Sequence, residues 1–213
     1  MPQEKVKVWE AVLLTSLAAV IFIYAAHQLN PLCFLLSPLA LAVIFFYSLT
    51  KRFTWASHLF LGLALSLAPM GAWLAVTGTP QHPTDLLTPF FLSLAVLFWL
   101  AGFDIIYSLQ DYDFDRSHGL HSIPVRFGVV WGLRLSSLSH ILTVFFLVLV
   151  GLSAGLGVIY WAGVAVVCGI LIWEHRLVRP DDLSRINRAF FDLNAYVSVG
   201  YFLMTLADLL WRA

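Results

Sequence analysis

Asp104, Ser108, Asp111 and Asp115 are spaced by 4, 3 and 4 residues in an otherwise very apolar chain, so on a helix they share one face. Asp111 and Asp115 stand one turn apart and can clamp a single hard cation through oxygen. Mg²⁺ suits such a pair, because it takes only one or two carboxylates and leaves its other positions to water or a substrate phosphate. Arg116, Arg126 and the backbone around Gly119 and Gly128 supply a positive rim for an anion. The same stretch, 104–128, also has the composition of a solvated, helix-capping loop between two spans. The tight Asp spacing, and Asp104 lying seven residues back inside an apolar run, favour a site. A carboxylate near the end of a span is costly and commonly faces a polar cavity, and Tyr107 on the neighbouring face is placed to line it. The competing reading hydrates Asp104 at the interface.

A second group precedes it. Tyr47 and Lys51 are one helical turn apart at the end of an apolar run. Singly they read as a belt tyrosine and a snorkelling lysine. Facing an Asp cluster, Lys51 serves as a phosphate ligand acting as a point charge. Tyr47 then offers its ring or hydroxyl to a positive centre or a leaving oxygen. His118 and His121, three apart beside Asp111 and Asp115, make zinc conceivable by type and spacing, with no further soft ligand nearby. His27, His58, His82, His140 and His175 are scattered and suggest no constellation. Glu174 and His175 close an apolar run, and Asn187, Asp192 and Asn194 mark the start of the last one. An Asn inside a span most often hydrogen-bonds a neighbouring helix.

These residues are carried by a chain of 213 residues, 61% hydrophobic and 11% charged, with a formal net charge of zero and mean hydropathy +0.87. Such a chain is a polytopic membrane protein forming one domain, 1–213, not a soluble globule. Zero net charge implies no nucleic-acid partner. Cys33 and Cys168 lie in apolar runs with neither metal spacing nor a reason to pair. The polar start followed by a run of spanning length is not the pattern of a cleavable signal peptide. Seven runs reach or approach bilayer length, at about 8–29, 31–49, 55–77, 88–109, 129–150, 155–174 and 190–210. The expected fold is an all-α bundle of about seven transmembrane helices. Asn30-Pro31 makes the first two a hairpin, 78–88 is a polar connector, and Gly151 to Gly157 marks another short turn.

Seven spans put Lys5 and Lys7, Lys51 and Arg52, Arg116 with Arg126 and Arg134, and the group Arg176, Arg179, Arg185 and Arg188 on one face, with Arg212 opposite. The positive-inside rule makes that face cytoplasmic. The same assignment brings Lys51 and the Asp cluster together at the cytoplasmic mouth.

The run Tyr107-Ser-Leu-Gln-Asp111-Tyr-Asp-Phe-Asp115, continuing through Arg126-Phe-Gly128, closely resembles the second aspartate-rich motif of the UbiA family of intramembrane prenyltransferases. Tyr47-x-x-x-Lys51 followed by Arg-Phe-Thr resembles that family's motif after its fourth span. The stretch from Glu174 to Asn194 is similar to the 4-hydroxybenzoate polyprenyltransferase-like branch. The resemblance implies a fold of nine helices around a cavity open to lipid, with the active site towards the cytoplasm. It implies transfer of a prenyl chain from a polyprenyl diphosphate to an aromatic, 4-hydroxybenzoate-like acceptor in quinone biosynthesis, with Mg²⁺ as cofactor. By that likeness Asp111 and Asp115 bind one Mg²⁺. Lys51 and Tyr47 act, by the same likeness, at the diphosphate and the developing allylic cation; the reading of the residues themselves adds Arg116 and Arg126 at the diphosphate and makes Asp104 the candidate for orienting a ligand or helping the acceptor proton leave.

The sequence departs from the family pattern in one respect: the first aspartate-rich motif is absent, and no Asp precedes Asp85. Seven spans fit loss of the family's first two. The expectation is a shortened chain, inactive or severely impaired alone, that needs a separate fragment carrying the missing N-terminal helices. The alternative is a non-catalytic membrane protein retaining a half-site for a Mg²⁺-diphosphate lipid. A retinal protein is excluded because no Lys follows Lys51 to form a Schiff base in the last span. A transporter lacks a second intramembrane charge to partner Asp104.

Overall fold

A computed structural model describes residues 7–212; Lys5, used above for orientation, lies outside them, as does the side chain of Arg188. The described chain is helical apart from a single β-bridge, Arg179 to Asp182. Seven helices are long and apolar enough to cross a membrane. The seven spans are carried by α1 (Val8–Leu29), α2 (Pro31–Thr50), α3 (Ser57–Thr77), α4 (Leu87–Ser108), α7 (Val129–Ser153), α8 (Val158–Leu177) and α10 (Asn194–Arg212), with the short helices α5 (Tyr112–Ser117) and α6 (Ile123–Phe127) between α4 and α7 and the single turn α9 (Ile186–Arg188) before α10. The spans follow the apolar runs closely. The expected loop after the fourth span is instead a 3₁₀ turn, Leu109–Asp111, leading directly into α5.

In lipid every backbone polar group must be satisfied from within the chain, and the connections show how. Asn30 turns α1 into α2: its Oδ1 accepts from the Cys33 amide and its Nδ2 donates to the Leu74 carbonyl, both at 2.9 Å. Pro31 takes the first position of α2, where no amide is needed. At the same end of the bundle, Asp208 of α10 caps α8, accepting from the amides of Gly157 at 2.7 Å and Tyr160 at 3.2 Å. Arg212 stands 3.7 Å from that carboxylate and donates to the Gly155 carbonyl. At the other end Ser122 caps α6, and Gly128, at φ 84°, breaks the chain between α6 and α7.

The spans pack in chain order, α1 on α2, α2 on α3, α3 on α4, α4 on α7, α7 on α8 and α8 on α10. The most intimate contact is α4 between α3 and α7. Among the described residues α1 and α10 make no substantial contact with each other, so the bundle is an open arc. Its core lies at the α4–α7–α8–α10 end, around Ala95, Leu147, Tyr160, Val164 and Val197. Trp99 of α4 donates to Asn194 Oδ1 of α10 at 2.9 Å, joining two spans as expected of an asparagine within one, and outside the spans Gln110 donates to Asn187 Oδ1 of α9 at 2.9 Å.

Close approach of α3 to α4 depends on Gly62, where a Cβ would run into the Leu97 carbonyl. Gly62→Ala is expected to destabilise the protein by about 1–3 kcal/mol, the usual cost of overpacking. Gly169→Ala, where a Cβ meets nothing within 4 Å, is expected to leave the melting temperature in detergent unchanged or slightly raised. Equal melting temperatures for the two variants would contradict the α3–α4 packing.

Candidate active site

The helix phase set by the sequence carries through the 3₁₀ turn, so Asp104, Tyr107 and Ser108 of α4 and Asp111 beyond it face one cavity. Tyr47, Ser48 and Lys51 from the end of α2, and Ser57 and His58 from the first turn of α3, complete a polar space of about 270 Å³. Three helix ends therefore build it, and α3–α4 packing fixes their relative height.

Asp115 sits one turn beyond Asp111, on α5. Its side chain is 1% exposed, not in an open loop mouth as the sequence suggested. Lys51 Nζ lies 2.8 Å from Asp115 Oδ2 and 3.7 Å from Asp111 Oδ2, whose side chain is half exposed. The Asp115 carboxylate receives no well-formed hydrogen bond besides this ion pair. The Lys51 carbonyl also accepts from the His121 amide at 2.8 Å, tying α2 to the chain after α5.

Asp104 is held from behind. Its Oδ2 is 2.6 Å from His58 Nδ1, and its side chain is 23% exposed towards the cavity. His58 is itself buried, and its Nε2 accepts from the Ile123 amide at 3.3 Å. The sequence reading missed His58. The available signal was its position: it follows a polar stretch at the start of a span, which the seven-span scheme puts at the same mouth as Lys51.

Arg116 and Arg126 are exposed on α5 and α6 and do not line the cavity. Among the described residues, no group of three or more His, Cys, Asp or Glu side chains is placed to hold a metal ion. The zinc reading fails on geometry: His118 is exposed and stacked on Phe114 at 4.0 Å between ring centroids, and His121 is exposed. A Mg²⁺ ion fits on narrower terms. The Lys51 ammonium stands between the two carboxylates as a cation does, and two oxygen ligands are what Mg²⁺ takes from protein when a phosphate supplies others.

A second space, apolar and about 470 Å³, lies between α1, α2 and α3. On α2 it is lined by Cys33, Leu36, Ser37, Ala40 and Ile44. At 100° per residue these share one face with Tyr47, Ser48 and Lys51. The apolar groove and the polar cavity are thus successive parts of one α2 face. It runs about 27 Å from Cys33 to Lys51, 18 residues at 1.5 Å each.

The sequence profile of the UbiA prenyltransferase family matches residues 1–198. The chain belongs to the UbiA prenyltransferase family. It is 31% identical over 206 residues to a 4-hydroxybenzoate octaprenyltransferase of Nitrosospira multiformis, covering 96% of this chain and 68% of that protein. It is 31% identical over 202 residues to one of Vibrio cholerae, covering 94% and 68%. The apo structure of a UbiA homolog from Aeropyrum pernix K1 superposes with a TM-score of 0.85 at 32% identity, over 97% of this chain and 74% of that one. A digeranylgeranylglyceryl phosphate synthase shares the fold, with a TM-score of 0.72 at 15% identity. The chain is an all-helical, multi-pass membrane protein of the transferase family that the sequence pointed to.

The buried Asp115 makes the ion pair a stability element. Lys51→Met leaves a buried carboxylate without its cation and is expected to cost about 3 kcal/mol. Adding Asp115→Asn to Lys51→Met is expected to recover most of that loss. A double-mutant cycle of melting temperatures in detergent measures the coupling, and additive effects would show that the pair is not formed.

Proposed function

We propose that this protein transfers a polyprenyl chain from a polyprenyl diphosphate to an aromatic acceptor of the 4-hydroxybenzoate kind, with Mg²⁺, as a step of quinone biosynthesis. One observation carries the reading: a polar, Lys- and Asp-lined cavity and an apolar groove lie one after the other along a single α2 face. That is the shape of a ligand with a charged head and a long hydrocarbon tail. The names of the relatives point to the same donor and acceptor.

Asp111 and Asp115 would hold the Mg²⁺, which on binding neutralises charge on the departing diphosphate. Lys51 meets the diphosphate oxygens as a point charge, and Arg116 and Arg126 form an outer rim that draws the anion in. As the C–O bond at the prenyl C1 breaks, positive charge grows on the allylic carbons. The Tyr47 ring faces that charge, and the apolar groove keeps water from it. An electron-rich ring carbon of the acceptor bonds to C1, the diphosphate leaves with the bonding pair, and Asp104 takes the proton that the ring carbon must lose. The excess of Lys and Arg in the connections at the cavity end supports a cytoplasmic position for that mouth.

A second reading, a membrane protein that binds a Mg²⁺-diphosphate lipid without turnover, is favoured by the donor set, which among the described residues brings no third His, Cys, Asp or Glu to the Asp111–Asp115 pair. The test is purified protein in nanodiscs with labelled octaprenyl diphosphate, 4-hydroxybenzoate and Mg²⁺. Prenylated product supports transfer. Mg²⁺-dependent binding without product supports the second reading. Neither binding nor product overturns both.

Two variants probe the head and tail separately. Asp111→Asn is expected to weaken Mg²⁺-dependent diphosphate binding at least roughly tenfold, the lower bound for removing a charge-assisted contact worth about 1.5–3 kcal/mol, without loss of fold, because this side chain is half exposed. Gly71, which lines the groove with open space at its Cβ position, is the place to obstruct the tail. Gly71→Leu is expected to lower affinity for octaprenyl diphosphate while leaving geranyl diphosphate binding intact. An equal effect on both lengths would remove the groove from the site.

A further inference from the structure

We infer that His58 is a positioning residue for prenyl transfer: it fixes Asp104 in the cavity wall through an Nδ1–H donor whose tautomer is set by the backbone of α6. The inference rests on the prenyl-transfer reading above and adds a residue that neither the motifs nor the helix periodicity marks.

The argument begins with the backbone. The Ile123 amide is a donor in every protonation state of its surroundings, and it points at His58 Nε2 at 3.3 Å. That nitrogen must therefore carry its lone pair. The ring proton is left on Nδ1, 2.6 Å from Asp104 Oδ2, so the imidazole is neutral and donates to the carboxylate. A doubly protonated ring would set two donors against each other at Nε2.

The geometry leaves His58 little freedom. It is 1% exposed, and α3, α4 and the start of α6 all meet at its ring. With Oδ2 engaged, Oδ1 is the Asp104 atom without a partner among the described residues, and Asp104 lines the cavity. Rotation of the carboxylate is thereby restricted, and one oxygen is presented to the reacting ligand. The arrangement matches the general pattern in which a third group orients a catalytic base. It also couples the base to α6, the element carrying Arg126, so seating of that element and aim of the carboxylate depend on one ring.

Two conservative variants separate the two bonds. His58→Asn keeps an amide N–H near the Nδ1 position and loses the acceptor for Ile123. His58→Gln places its amide oxygen near the Nε2 position and loses the donor to Asp104. Positioning predicts that turnover of His58→Gln falls at least roughly tenfold below that of His58→Asn, a part of the 10²–10⁴-fold that a positioned base contributes. The KM for octaprenyl diphosphate is expected to stay the same in both. Equal turnover numbers, or a greater loss in His58→Asn, would assign His58 to anchoring α6 and overturn the inference. Ring ¹⁵N resonances of the wild-type protein give a readout independent of activity: a neutral His58 protonated at Nδ1 is expected, and protonation at Nε2 overturns the inference. Wild-type protein that binds diphosphate and makes no product overturns the prenyl-transfer reading instead, and the ring resonances then decide the His58–Asp104 bond alone.

Discussion

A carboxylate removed from water costs several kcal/mol unless a cation meets it, and Asp115 is almost completely removed from water. Lys51 answers it from the end of α2, more than sixty residues earlier in the chain. This pair sets where α5 lies against the spans, and hence where the chain re-enters the membrane through α6 and α7. The Lys51 carbonyl reinforces it by holding the His121 amide. The charge balance at the cavity is thus made of the groups proposed to receive diphosphate and metal.

The same constraint acts deeper in the bundle. Glu174 is fully buried, and neither of its oxygens has a well-formed hydrogen bond. Across the α7–α8 contact, its Oε2 is 3.7 Å from His140 Nδ1, which is 2.9 Å from His175 Nε2. His140 is wedged against Gly102 of α4, where any larger residue would collide with its ring. Polar residues in spans that pair only with each other lock helix rotation, since no other arrangement hides them from lipid. Three of the five scattered histidines of the sequence therefore belong to two constellations, His58 at Asp104 and His140 with His175 at Glu174.

What the sequence made legible follows from which interactions are local. Span positions come from hydropathy alone. The common face of Asp104, Ser108 and Asp111 comes from the helical period, which holds across a single 3₁₀ turn. The links Lys51–Asp115, His58–Asp104 and His140–His175 join residues 64, 46 and 35 apart in the chain. Such contacts depend on which helices are neighbours and how each is rotated. In a soluble helix the apolar stripe fixes rotation, but these spans are apolar all round because lipid replaces water on the outer face. Burial of Asp115 escaped for the same reason: a short acidic segment after a span looks exposed until Lys51 is seen to reach it.

The site also explains why an apolar protein needs so few charges. Diphosphate recognition requires a cation and a metal platform, and transfer requires a place for one proton. On the proposed reading Lys51 at the end of α2, Asp111 and Asp115 in the 3₁₀ turn and α5, and Asp104 near the end of α4 would supply these. On the same reading the α2 face from Ile44 back to Cys33 is left to hydrocarbon contact with the tail. Binding energy from the tail is then uniform along the groove and says nothing about chemistry, whereas the head groups act only where charge develops. The proposed function therefore assigns donor length and catalytic rate to different residues of the same helix face, Cys33 to Ile44 for the first and Tyr47 to Lys51 for the second.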